Sequence, residues 1–547
     1  MDLLERNRRR LAMLDKVPGE ARRACALGRL ISVEETEDGD MGIALDFWES
    51  DGWNGLSPCV PTVKREHSDP LIREALNGGA LRILELPGLA DAPVTGIVMR
   101  NLEMKAGDVK ALVKQPQLAR AAGLDFTGVA IGAGLAALVK SPHVSRLRRL
   151  ELLATKAKTS PLSGPTSLGN LEHLGLGACR LKSQQLGEIV HSPGLPALRS
   201  LSFRANDVDD EGIQQLVRSE ALARITHLDL ALSRLVTPEG WKALAESAHL
   251  EHLRLLDVSD NELKAAAAPL LAGPLTRCED LRIDLAEGVP ELKLPSLRRL
   301  DVGVHTNSAL ARLADQLPSF ARLEALTLRL FFYLEDLTPV RALLESGGLA
   351  ALRTLEIQVL QPTAERLDPL FELPMLPALR RLRIAEGPIA PRHIERLSQW
   401  PGLAGLEELV LTADLANPEA VKLASAPMER LKRLELKLAT GTPALVAALA
   451  SNPALTNLQS LLLPHRSATG TAFEALAASH TLTSLVELDL SPHHQVTVEQ
   501  ARALFRSPNL PNLWIARGVE ATGTGQEARQ FGEGVCADPE RRTVRRL

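Results

Sequence analysis

Carboxylates recur in this chain with a spacing that points to binding. Glu151, Asp229, Asp257, Asp301, Glu356, Glu435 and Asp489 each occupy the fifth place of a short apolar phrase. Across eighteen such phrases that place is acidic nine times, Glu85 and Asp125 completing the set. Two residues earlier stand Arg149, His173, His227, Arg299, Arg381 and Arg433, a basic row beside the acidic one. Like-signed groups in a trough draw in the opposite charge and accelerate encounter, so the expected chemistry is capture of a protein carrying Lys or Arg. The competing expectation is lateral pairing between neighbouring charges, each exposed pair contributing about 0–1 kcal/mol.

Groups suited to catalysis are poorly placed. Cys179 falls where burial against backbone is expected, and His493-His494 has no carboxylate or cysteine spaced to complete a metal site. The chain has no G-x-x-x-x-G-K-S/T, G-x-S-x-G or H-E-x-x-H motif, and the glycines of GVAIGAGLAALVK lack the context of a dinucleotide fold. Phe331, Phe332 and Tyr333 form one aromatic cluster, expected mainly to fill core. No catalytic residue, cofactor or metal is assigned.

The phrase that positions these residues is Leu-x-x-Leu-x-Leu. Fourteen copies begin at residues 147, 171, 198, 225, 253, 297, 323, 352, 379, 406, 431, 458, 485 and 510, mostly near 27 residues apart. The interval of 44 before Leu297 divides at Cys278, giving a unit too short for a full helix. Upstream, Val94 and Ala121 extend the register, and Leu81, Leu84 and Leu86 belong to a first strand or a cap. About seventeen units result. Within each, apolar period 2 gives way to a period near 3.6, the mark of a strand followed by a helix. Asp209, Asp210 and Glu211 suit one helix start, and Pro391 opens another that Pro401-Gly402 closes. Parallel strands stack about 4.8 Å apart and helices roughly 8–10 Å, so such a stack bends with its strands inside.

These units resemble leucine-rich repeats, and their length and helical halves are similar to the ribonuclease-inhibitor-like subclass. The resemblance implies an α/β solenoid, a horseshoe with a parallel β-sheet on the concave face and helices on the convex face. Where that pattern has Asn or Cys, this chain has Cys179, Asn206 and Asn261, but Thr155, Ser233, His305, Phe331, Leu360, Gly387 and Asp414 elsewhere. This departure predicts irregular loops, above all beyond residue 300.

The expected domains are a helical or mixed cap over 1–66, a repeat array over 67–516, and a tail or cap over 517–547. Trp48 and Trp53 lie in the first of these, and the last ends in ERRTVRRL. Hydrophobic residues at 45% and charged residues at 24% are ordinary for a folded chain, and the net charge of −4 predicts no general attraction to nucleic acid or anionic membrane. Five widely spaced cysteines suggest no disulfide framework and a reducing compartment. The start, MDLLERNRRRLAML, is not a signal peptide, and no apolar run would span a bilayer. A bacterial, cytoplasmic monomer is expected. Its expected role is a non-catalytic protein-interaction scaffold, with regulation of an enzyme (as inhibitor or GTPase-activating protein) as the alternative.

Overall fold

A computed structural model describes residues 4–5, 30–35, 41–46, 84–85, 93–99, 104, 106–517, 535–538 and 543–546. Within the long span it leaves out 156–158, 262, 264–266, 286–290, 332–333, 335–336, 347, 360–363, 386–388, 413–417, 438–441, 464–469, 490–497 and 514. Trp48, Trp53, Phe332, Tyr333, His493 and His494 therefore lie outside the described residues. The chain forms two units. One holds residues 1, 8–284 and 290–296; the other holds 2–7, 285–289 and 297–547.

In the first unit the repeat phrases become strands β3 (Val94–Val98), β4 (Gly123–Asp125), β5 (Arg149–Glu151), β6 (His173–Gly175), β7 (Ser200–Ser202), β8 (His227–Asp229), β9 (Leu255–Asp257) and β10 (Asp280–Leu285). Each pairs in parallel with the next, leucine opposite leucine: Leu150, Leu174, Leu201, Leu228, Leu256 and Leu281 form one file. All six are at most 1% exposed. That file is the core, because period 2 sends every second side chain to the same side of the sheet. The hairpin β1 (Leu30–Glu35) and β2 (Met41–Asp46) precedes the array, with β2 running parallel to β3. Leu84 and Glu85 sit in a 3-10 turn rather than a strand, so Glu85 is not part of the acidic column and instead accepts a hydrogen bond from Gln117 at 2.6 Å.

Helices follow the strands where the apolar stripe predicts them. The Asp210–Arg218 helix is capped by Asp209, whose carboxylate accepts the Glu211 and Gly212 N–H groups. Those donors and the Ser183 hydroxyl, the largest influence, hold its carboxyl below the usual range.

Loops of the first unit are regular despite the incomplete Asn pattern. Gly128, Ala154, Ala178, Ala205, Leu232 and Asp260, each eighth in its phrase, all take positive φ; Gly132 and Arg180 do so as well. The left-handed eighth residue ends the strand after three residues, although it costs a side-chain-bearing residue about 1 kcal/mol or more. The ninth residue then braces the turn. Asn206 Oδ1 accepts the N–H of Cys179 and of Leu181, both at 3.0 Å, while its Nδ2 donates to Leu176 and Phe203 carbonyls at 2.8 and 2.9 Å. Cys179 fills the same role in its own repeat, its thiol donating to the Leu152 carbonyl at 3.0 Å.

The second unit uses strands β11 (Arg299–Val304), β12 (Ala325–Leu330), β13 (Thr354–Val359), β14 (Arg381–Ala385), β15 (Glu408–Thr412), β16 (Arg433–Lys437), β17 (Ser460–Leu462), β18 (Glu487–Asp489) and β19 (Ile515–Arg517), again parallel in order. Here the eighth residues Val304, Leu330 and Val359 remain in strand and are buried. The β-branched side chains of Val304 and Val359 resist positive φ, and all three strands, with Leu330 between them, run on to six residues. In place of a hydrogen-bonding ninth residue, the rings of His305 and Phe331 stack with centroids 4.0 Å apart.

The final strand departs from the sequence phase. Asp489 stands opposite Arg517, not Trp514, so β19 has slid by three residues. Beyond it, β21 (Thr543–Arg546) pairs antiparallel with β19, and β20 (Val535–Asp538) antiparallel with β21. Each unit is an α/β solenoid built from leucine-rich repeats, with strands on one side and helices on the other.

Candidate functional site

Strand register assembles the predicted residues into two columns on the solvent side of each sheet. In the first unit the third-place column runs Arg149, His173, Ser200, His227, Leu255 and Asp280. The fifth-place column runs Asp125, Glu151, Gly175, Ser202, Asp229, Asp257 and Arg282. In the second unit Arg299, Ala325, Thr354, Arg381, Glu408 and Arg433 share one column, and Asp301, Thr327, Glu356, Arg383, Val410, Glu435, Leu462 and Asp489 the other. Both columns follow the spacing except at the ends, where Glu85 and Trp514 do not take their expected places, and Arg149, His227, Arg299 and Arg381 are exposed.

What the carboxylates do there was not legible. Asp125, Glu151, Asp229 and Asp257 each accept the backbone N–H two residues on, from Thr127, Leu153, Ala231 and Ser259, at 2.9–3.2 Å. Each thus caps the turn that leaves its own strand. Lateral pairing adds to this. Asp257 faces Arg282 at 3.6 Å, Asp301 faces Arg329 at 2.8 Å and Glu356 faces Arg383 at 3.4 Å on neighbouring strands, while Glu435 pairs along its own strand with Arg433 at 2.7 Å. Asp257 and Glu435 are nearly buried, at 4% and 5% exposure. The acidic column is therefore a set of engaged carboxylates.

Asp229 and Asp257 are the exception to mutual compensation, because register sets these two carboxylates side by side. Burial first, and Asp257 second, push the Asp229 carboxyl up to about 6 against the pull of Arg204 and the Ser202 hydroxyl at 2.7 Å. Burial, with Arg254 and His173 nearby, holds the exposed-edge imidazole of His227 below its ordinary value.

Three neighbouring strands also bring Glu151, His173 and Ser200 into a chain. His173 Nε2 lies 3.3 Å from Glu151 and Nδ1 lies 2.8 Å from the Ser200 hydroxyl. Gly175 makes room for it, since a Cβ there would meet the Glu151 carboxylate at 2.1 Å. Acyl transfer would also need paired N–H donors for an oxyanion. The Arg199 and Ser200 N–H groups both donate to the Glu172 carbonyl instead, at 2.8 and 2.9 Å. The relay orients polar groups; it does not build an acyl-transfer site.

No family model matches the chain, and no curated protein is similar to it at significance. Among solved structures, an internalin from Listeria monocytogenes is similar over 77% of this chain and 95% of its own, at 16% identity and a TM-score of 0.28. A TDR receptor is similar over 74% of this chain and 81% of its own, at 14% identity and a TM-score of 0.29. A protein from Bacteroides fragilis is similar over 43% of this chain and 63% of its own, at 17% identity and a TM-score of 0.26. Superposition at these scores is loose, and the site rests on its own geometry.

Elsewhere, burial pushes the Cys179 thiol up and takes that of Cys278 to about 12, the wrong direction for a nucleophile. Among the described residues no group of three or more His, Cys, Asp or Glu could hold a metal, and no helix is long and apolar enough to cross a membrane. Sequence reasoning missed one further cluster, on the helix side of the second unit. His393, fully buried, donates from Nε2 to Asp368 at 2.7 Å and accepts the Ala390 N–H on Nδ1 at 3.0 Å. Its ring stacks on Phe371 at 4.6 Å. Both nitrogens are engaged, so this histidine locks two repeats together and has no lone pair left for proton transfer.

Proposed function

We propose that this protein is a non-catalytic scaffold that binds a protein partner on the solvent face of its sheets. The observation that carries this reading is the register itself. Third- and fifth-place side chains repeat at about 4.8 Å intervals over consecutive strands, giving a broad, preformed, polar face on rigid backbone. Arg149, His227, Arg299 and Arg381 supply its exposed groups, and Glu151, Asp229, Asp257, Asp301, Glu356, Glu435 and Asp489 its acidic ones. In the first unit the partner favoured is basic, with a Lys or Arg set against the half-buried Glu151 and Asp229. The repeat length and helical halves support a ribonuclease-inhibitor-like arrangement. Unpaired, buried Cys179 and Cys278 suit a reducing, cytoplasmic setting.

The test is capture of partners from the native host by the full chain, identified by mass spectrometry. Glu151→Lys with Ser202→Lys, which sets two cations in the acidic column, should remove the captured protein, whereas Lys242→Glu on the helix side should leave it. Capture that survives the sheet-face change, or is lost equally in the helix-side control, would end this reading.

A further inference from the structure

We infer that the leading edge of strands β11 to β14 in the second unit is a docking strip for an acidic, extended peptide segment. It rests on the sheet face receiving a protein, but adds an anionic chemistry opposite to that proposed for the first unit. Arg298 and Arg299 enter β11, Arg322 precedes β12, Arg353 enters β13, and Arg380 and Arg381 enter β14. Arg298 and Arg381 remain 51% and 65% exposed while paired, to Glu324 at 2.7 Å and Glu408 at 3.7 Å. Glu408 is shared with Arg433 at 3.8 Å, so it neutralises neither arginine fully. Six arginines thus mark the entry to four strands of a chain whose net charge is −4, Arg380 turning back to the Pro377 and Leu379 carbonyls at 3.1 and 2.8 Å. A local field of this kind attracts an anion at close range without drawing in polyanions from a distance.

Shape selects the occupant. The register column reads Arg299, Ala325, Thr354, Arg381, so two small side chains lie between two long cations. Three strand spacings separate the arginines, about 14 Å, which an extended chain covers in about four residues. A segment crossing the strands with carboxylates four residues apart reaches both arginines and rests its backbone on Ala325 and Thr354, with Arg353 alongside. Arginine forks fit carboxylates in pairs, which adds geometry to charge. A nucleic acid strand fits less well. No ring stands in the described columns of β11 to β14 to stack a base, and Glu324, Asp301 and Glu356 interrupt a phosphate track.

The experiment titrates the full chain into fluorescein-labelled deca-glutamate, deca-lysine and a ten-residue oligothymidylate, followed by anisotropy at low and physiological salt. Deca-glutamate should bind, weaken with salt, and bind at least tenfold more weakly to the Arg299→Gln, Arg353→Gln, Arg381→Gln triple variant. Unchanged urea unfolding would show that this variant is folded. Absent binding of deca-glutamate, equal binding to the variant, or tighter binding of the oligonucleotide overturns the inference. If deca-glutamate fails while Glu151→Lys with Ser202→Lys still abolishes partner capture, the scaffold reading stands and only the strip falls. If deca-glutamate binds the strip but sheet-face changes leave capture intact, the strip stands and the wider scaffold reading falls.

Discussion

Asp229 should weaken the fold at neutral pH, and replacing its carboxyl by an amide should stabilise the protein there. The cause is the position: burial and the adjacent Asp257 carry its carboxyl from 3.8 to about 6, more than Arg204 and Ser202 can offset. In the unfolded chain the same group titrates near 3.9, so the folded state binds this proton more tightly. The contribution of Asp229 to stability is then full below about pH 4 and is lost as pH rises through about 6. A difference of this size corresponds to about 3 kcal/mol at most, and solvent reaching the half-buried side chain reduces the expected value to roughly 1–2 kcal/mol. Asp229→Asn removes that penalty while keeping Oδ1 for the Ala231 N–H at 3.0 Å. Urea unfolding of both proteins at pH 7.5 and pH 4 is the assay. The variant should gain stability at pH 7.5 and little at pH 4, and the gain should shrink in an Asp257→Asn background, where one cause has gone. A loss at pH 7.5, or an equal gain at both pH values, would refute the reasoning.

Asn206→Ala strands the Cys179 and Leu181 N–H groups and should cost about 2–5 kcal/mol. Amide exchange at those two positions should accelerate first, and a loss under about 1 kcal/mol with unchanged exchange would dismiss the brace. Burial holds His393 below its ordinary value, so the unfolded state takes the proton first; its contribution is present above about pH 6.5 and is lost as pH falls below it. His393→Gln keeps an acceptor for the Ala390 N–H, as glutamine does three residues into a helix, and should flatten the stability profile between pH 5 and 7. An unaltered slope would place the titrating group elsewhere. Cys179 should resist iodoacetamide in the native protein and react in urea, and rapid native alkylation would put its thiol outside the core.

Phase was legible because it is local. Leucines at the first, fourth and sixth places of each phrase identify the strand, and strand pleating then says which neighbours face water. Cys278 correctly divided the long interval, since β10 pairs Leu281 with Leu256. Where local pattern competed with turn geometry, one of two open alternatives fell and one register shifted. Leu84 has the right spacing for a strand but lies in a 3-10 turn, and the last phrase slides by three residues onto Arg517. Loop irregularity was expected from missing asparagines, yet the first unit turns regularly, because a left-handed eighth residue sets the bend and the ninth merely braces it.

By itself the sequence determined the repeat, the apolar file at its core, and the two columns of side chains offered to solvent, all consequences of periods 2 and 27. Tertiary structure decided what those side chains are free to do. Ser202 reaches Asp229 across 27 positions, and Arg329 reaches Asp301 across 28. His393 meets Asp368 across 25. Each pairing depends on how one repeat seats on the next, and burial of that kind pushes the Asp229 carboxyl up and the His393 imidazole down. Spacing names the candidates, but only the neighbouring repeat determines whether a carboxylate meets a partner, its own backbone, or another carboxylate.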